Sequence, residues 1–274
     1  MARTRRNRSS GRGIIAALAW PVLLGGLGTL LILGVPRLRT PRTAPPAISV
    51  AFTTLPDWLD GNLVTELEIV VRESLVGVRI ERSPLLHTAE NLRATGYFAE
   101  VRQVSWLSET CVAVDATFLA PYARVLHGEQ EWFADVEGHV LPKRAEPLVR
   151  GNYHFITIVG LQHAPPACAG AQWMGGDLAS ALSLLRVIYA KPWAVQVKRV
   201  DVAMWRENGH IALLTDTPCR IVWGSAPGSE QALEALAAEK VRRLDHFVAS
   251  HGRIDRGKSE TLQLTEGAGV VAWR

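Results

Sequence analysis

The chain has 274 residues, 48% of them hydrophobic, and a formal net charge of +4; that suits one large domain or two small ones around a sizeable core. Eight arginines precede residue 43 with no acid among them, so against the total of +4 the remainder, 43–274, carries −4. A folded domain with a basic face for nucleic acid is therefore discounted, and the arginines fit the flanks of a membrane segment better.

Arg3, Arg5, Arg6, Arg8 and Arg12 lead into an uncharged stretch whose apolar heart, 14–35, is 22 residues long. As a helix it would measure about 33 Å, enough for a hydrocarbon core of about 30 Å. Pro21, Gly25, Gly26 and Gly28 would weaken a soluble helix but are tolerated in a spanning one. A cleaved signal peptide would have a shorter apolar region and a small-x-small site; here PRLR follows at 36–39. The reading is an uncleaved anchor at 14–35 behind a cytoplasmic tail at 1–13, with the bulk of the chain beyond the membrane. Residues 36–47, PRLRTPRTAPPA, predict an extended, semi-rigid linker.

Ile48, Val50 and Phe52 alternate with smaller or polar residues and predict a strand. Pro56-Asp57 is expected to open a helix with the apolar stripe Leu59, Leu63, Leu67, Val70, Val71 and Leu75. Ser83 as N-cap and Pro84 at the first helical position predict a second helix, running through Leu85, Ala89 and Leu92 to Gly96. Strands follow around 98–106 and 110–119, the second with Val112, Val114, Ala116 and Phe118 on one face. The order over 48–121 is β-α-α-β-β.

Short alternating runs fill 122–141 and include WFADVEGHVLP at 132–142. Period-two spacing would put Asp135, Glu137 and His139 on one strand face, where they could hold a metal. Against this, Glu137-Gly138 is a turn signal and no neighbouring cluster would complete a site. The segment therefore reads as two short strands, 132–135 and 139–141, around a bend at 136–138. Asp177 is expected to cap a helix with the stripe Leu178, Ala181, Leu182, Leu185 and Ile188, ended by Lys191-Pro192. Val200, Val202 and Met204 predict a strand, Asn208-Gly209 a hairpin turn, and 211–214 and 219–223 further strands. A long helix with Leu233, Leu236, Ala237, Lys240, Val241, Leu244, Phe247 and Val248 closes at Gly252. Strands near 261–264 and 268–273 finish a β-rich half, 122–274, with two helices. The fold class is α+β.

No catalytic residue, cofactor site or metal site is predicted. The chain has no G-x-S-x-G, no G-x-x-x-x-G-K-[ST] and no H-E-x-x-H. Cys111 and Cys219 sit beside apolar runs and read as buried thiols; one disulfide among Cys111, Cys168 and Cys219 stays open. The run from His163 to Cys168 lacks zinc spacing. His210 and Asp216 read as turn residues, and Asp245-His246 as a solvated helix face.

A basic tail, one spanning helix, a β-α-α-β-β module and a β-rich module resemble the FtsQ/DivIB family of bacterial division proteins. APYAR at 120–124 resembles the stretch where the family's POTRA domain runs into its second domain. FADVEGHV at 133–140 resembles its hairpin, EKVRRL at 239–244 its last helix, and 262–273 its terminal strands. TLPD at 54–57 departs from the family's glycine-bearing turn, and LQLT at 262–265 replaces its valine-aspartate-leucine-arginine strand. The resemblance implies a non-catalytic scaffold of the inner membrane, located at the division septum. It would bind small partners like FtsB and FtsL, the former by strand addition at the C-terminal strand. Thr265, Gly267, Ala272 and Trp273 would make that contact, Trp273 as an aromatic anchor or packed on the long helix. Two other readings stand beside it. One is a POTRA-bearing protein of another envelope assembly or secretion system; the other is an anchored envelope hydrolase using Asp135, Glu137 and His139.

Overall fold

A computed structural model of the chain describes residues 48–78, 80–145, 148–255, 257–266 and 272–273. The predicted tail, spanning helix and linker, 1–47, lie outside these residues. Among the described residues, no helix is long and apolar enough to cross a membrane. The fold is mixed, with helices set against two sheets, in a general way an α+β arrangement.

The first sheet is built from β1 (Ser49–Phe52), β2 (Phe98–Ser108) and β3 (Cys111–Phe118), with α1 (Gly61–Leu75) and α2 (Arg82–Ala94) inserted after β1. Its order is β1-β3-β2, so β3 is central, parallel to β1 and antiparallel to β2. The central place suits β3, whose Val112, Val114, Ala116 and Phe118 are all buried. They pack in one core with Leu63, Leu67, Val71 and Leu75 of α1 and with Ala89 and Leu92 of α2. Fully burying each of the leucine, valine and phenylalanine side chains is worth about 1.5–3 kcal/mol. The helix starts differ from expectation. Asp60, not Pro56-Asp57, caps α1: its carboxylate accepts a hydrogen bond from Asn62 N at 2.9 Å. Glu81 occupies the cap position of α2, which leaves Ser83 and Pro84 in its first turn, where proline's missing N–H costs nothing. The helix end is as expected, with Gly96 at φ +76° just past it.

The second sheet has eight strands in the order β11-β10-β9-β8-β7-β6-β4-β5. These are β4 (Ala123–His127), β5 (Gln130–Ala134), β6 (Thr157–Val159), β7 (Val197–Asp201), β8 (Ile211–Thr215), β9 (Arg220–Gly224), β10 (Thr261–Gln263) and β11 (Ala272–Trp273). It is mixed: the β4–β6, β6–β7 and β9–β10 pairs are parallel and the rest antiparallel. α3 (Gly176–Ile188) and a long C-terminal helix, Ala237–His251, contribute Leu178, Leu182, Leu185, Val241 and Leu244 to its core. The Tyr189 hydroxyl accepts from Ile156 N at 2.9 Å and donates to Tyr122 O at 3.1 Å. It thereby ties the end of α3 to the starts of β4 and β6, and burial pushes its pKa up to about 12.

Four local expectations are corrected here. Met204 is not in a strand, because β7 stops at Asp201 and the chain coils into a one-turn helix, α4 (Trp205–Asn208). Asn208-Gly209 is that helix's end, with Gly209 at φ +75° donating to Trp205 O at 2.8 Å. Asp177 is not a cap; Gly175 holds that position, and buried Asp177 reaches back to accept from Gln162 N at 2.9 Å. The C-terminal helix, α5 (Ala237–His251), starts after Leu233 and Leu236, both exposed.

The two sheets share a strap. Beyond β5 the chain returns to the first core, where Leu141 and Leu148 are buried. Val149 forms an antiparallel bridge with Leu59, Arg150 N donates to Trp58 O at 2.7 Å, and Asp60 N donates to Leu148 O at 3.3 Å. Arg144 pairs with Glu66 at 2.8 Å. On the opposite approach, a Cβ on Gly96 would lie 2.7 Å from Ala169, so glycine is needed there for space as well as for its φ.

Candidate partner-binding edge

β10 lies parallel to β9, with Leu262 opposite Ile221, and β11 lies antiparallel on its other side, with Ala272 opposite Gln263 and Trp273 opposite Leu262. β11 is the terminal strand of the order, so its outer row of N–H and C=O groups has no neighbouring strand among the described residues.

What shapes this corner is the segment leading into α5. Lys240 belongs to the helix's apolar stripe, and its side chain is wholly buried. A buried ammonium requires a partner, and Glu234 supplies it at 2.6 Å. The same carboxylate accepts from Ser225 N at 2.8 Å and Gln231 N at 3.0 Å. Burial by itself would raise the Glu234 pKa, but the hydrogen bonds from Lys240, Gln231 and Ser225 outweigh it and hold the carboxyl down to about 2. The residues that bring its side chain inward are not helical: Leu233 takes φ +71°, and the helix begins only at Ala237. That is why the apolar periodicity overruns the true helix start.

Gly224, the last residue of β9, has φ +93°. A Cβ there would stand 2.1 Å from the Glu234 carboxylate and 2.7 Å from Thr265. Past β10 the chain first stays on β9, with Leu264 N donating to Val222 O at 3.0 Å. It then crosses to the Glu234 segment: Ala235 N donates to Thr265 O at 3.1 Å, Glu234 bridges Glu266, and Arg243 donates to Glu266 O at 2.7 Å. Thr265 is therefore half-buried, with its carbonyl engaged. Ala272 and Trp273 are placed in β11 by their backbones, and Gly267 lies outside the described residues. Neither Glu234 nor Gly224 carries a local signal of this role in the sequence, and Arg243 figures there only within EKVRRL. The one available signal was Lys240, a lysine on an otherwise apolar stripe.

The acids and histidine of 132–142 serve the backbone. Asp135 is buried and its Oδ1 accepts from Glu137 N at 3.0 Å and His139 N at 2.7 Å, while Oδ2 lies 3.0 Å from His139 Nδ1. Glu137 turns away to Arg186 at 2.8 Å. Ala134 bridges Val140 across the bend, so the hairpin exists, though 139–141 makes isolated bridges rather than a strand. Among the described residues no three His, Cys, Asp or Glu side chains gather at one point. Asp245 is not simply solvated: it accepts from Trp193 Nε1 at 2.7 Å and Lys191 Nζ at 2.8 Å. Asp216 pairs with Arg253. All three cysteines are free thiols; Cys219 is buried, Cys111 only half-buried, and Cys168 exposed. Burial pushes the Cys219 pKa up to about 11.

No protein-family model matches the chain, and no curated protein matches it.

Proposed function

We propose that this chain is a membrane-anchored, non-catalytic scaffold of the bacterial division machinery, of the FtsQ/DivIB type. Its first sheet and helices, 48–121, act as a POTRA domain, and the eight-stranded sheet acts as the family's β domain. The inner-membrane anchor is 14–35, and the bulk of the chain works in the periplasm at the septum. The observation that carries this reading is β11, a short terminal strand at the edge of the large sheet. A partner strand from an FtsB-like protein adds there, satisfying the open backbone groups. Thr265, Gly267, Ala272 and Trp273 line the contact, with an FtsL-like protein in the same assembly.

Two measurements test it together. A fluorescent fusion of the full chain gathers at midcell, and deletion of 261–274 abolishes co-purification of the FtsB-like partner. Uniform labelling of the envelope points instead to a POTRA protein of another assembly system. Undiminished co-purification after the deletion removes the docking edge.

A further inference from the structure

The large sheet has a second free edge, β5, at the opposite end of the order from β11. Leu141 N donates to Phe133 O and Asp135 N donates to His139 O, each at 2.9 Å. Residues 133 and 135 therefore turn their backbone groups away from β4, and by alternation Glu131 does the same. The chain's own segment pairs with this edge only as far as Leu141. Past Pro142 no further backbone hydrogen bond joins the segment to β5 among the described residues. Glu131 N–H and C=O and Phe133 N–H are left without a backbone partner among the described residues.

Between that edge and the departing chain lies a groove of about 530 Å³. Phe133 and Phe155 meet edge to face at 5.2 Å, and Tyr153, an exposed ring, continues the apolar wall. The polar groups are mostly cationic: Arg124, Lys143 and Arg144 line the groove against one acid, Glu131. Arg144 is committed to Glu66 and Lys143 to Gln130. Arg124 has no carboxylate partner among the described residues. Its guanidinium lies 5.8 Å from the Phe133 ring centroid, and its buried Nε makes no hydrogen bond.

We propose that this groove is a second docking site, which takes an extended acidic peptide segment of a partner protein as an added strand on β5. The backbone of Glu131 and Phe133 binds the peptide's main chain, and the Arg124 guanidinium binds a carboxylate on it. The excess of cations over acids selects against basic segments. The site is independent of the division reading, because it rests on β5 and not on the C-terminal strands.

The probe is a short capped peptide of alternating glutamate and valine, with a control carrying lysine in place of glutamate. Binding to the detergent-solubilised full chain is followed by fluorescence anisotropy and hydrogen-exchange mass spectrometry. The glutamate peptide is expected to slow exchange across 130–134, and Arg124→Gln to weaken it about tenfold or more. Glu131→Pro removes the outward N–H without touching the ladder to β4. It should also abolish the protection, even though it deletes the rim's acid; this variant decides the matter if Arg124→Gln fails to fold. Equal binding of the lysine peptide, protection confined to β10 and β11, no protection by either peptide, or unchanged binding by Glu131→Pro would each overturn the proposal.

Discussion

Lys240 Nζ donates to the Glu234 carboxylate at 2.6 Å, with the lysine side chain wholly enclosed and the glutamate nearly so. The pair holds the entry to α5 against the end of β9, and the C-terminal edge rests on it. Removing one partner strands the other charge. Lys240→Met is expected to destabilise the protein by about 3 kcal/mol or more, read as a lowered urea midpoint. Glu234→Gln combined with Lys240→Met should recover part of the loss, because no buried charge is then unpaired.

The same pair gives the protein an acid limit. The Glu234 pKa is depressed to about 2 in the folded state, so the folded state binds this proton less readily than the unfolded chain does. Its stabilisation is complete above the ordinary glutamate pKa and is lost as pH falls toward about 2. The change amounts to about 3 kcal/mol. Denaturant unfolding at stepped pH checks this. In Glu234→Gln the slope across that interval should be shallower.

Gly224→Ala tests the corner from the strand side. The new methyl would meet both the Glu234 carboxylate and Thr265, at a backbone φ of +93° that alanine disfavours. Strain and displacement together are expected to cost about 3 kcal/mol. Thermal melts give the stability. If β11 is the docking strand, partner capture should fall in parallel, since the methyl also crowds Thr265, which follows β10.

Asp135→Ala removes the acceptor for two backbone N–H groups in the bend after β5. The expected loss is about 2 kcal/mol, with Asp135→Asn milder because its amide oxygen can still accept. Thermal unfolding separates the two variants. An Asn variant as damaged as the Ala variant would show that charge, not hydrogen bonding, holds the bend.

Much of this architecture was legible where a residue type has one physical use. Gly96 and Gly252 end helices in the left-handed region, as expected, and the valines of β3 alternate because one face of that strand is buried. Reading failed where one signal serves two structures. Asn208-Gly209 suits a tight hairpin, but the same tolerance of positive φ suits a helix end, and the choice was made by the coil of Trp205–Asn208. Leu233 and Leu236 continue the stripe of α5 by spacing, yet a long-range hydrogen bond to Ser225 draws Glu234 out of register. Local sequence does not favour Asp60 over Pro56-Asp57 as the helix start, because the bridge from Leu59 to Val149, which precedes the helix, links residues far apart in sequence. At the candidate edge, Lys240 was visible on its stripe, but its partner six residues away was not, since six residues is no helical spacing.

The strap that lays Leu141 and Leu148 into the first core bears on how the chain can be divided. A fragment stopped at Pro121 would lack two of its own core side chains and would leave Leu59 without its bridge to Val149. A fragment begun at Tyr122 would carry Leu141 and Leu148 bare into water. Recombinant pieces intended to behave as the intact protein should therefore run through Arg150 at one end, or start near Ile48 at the other.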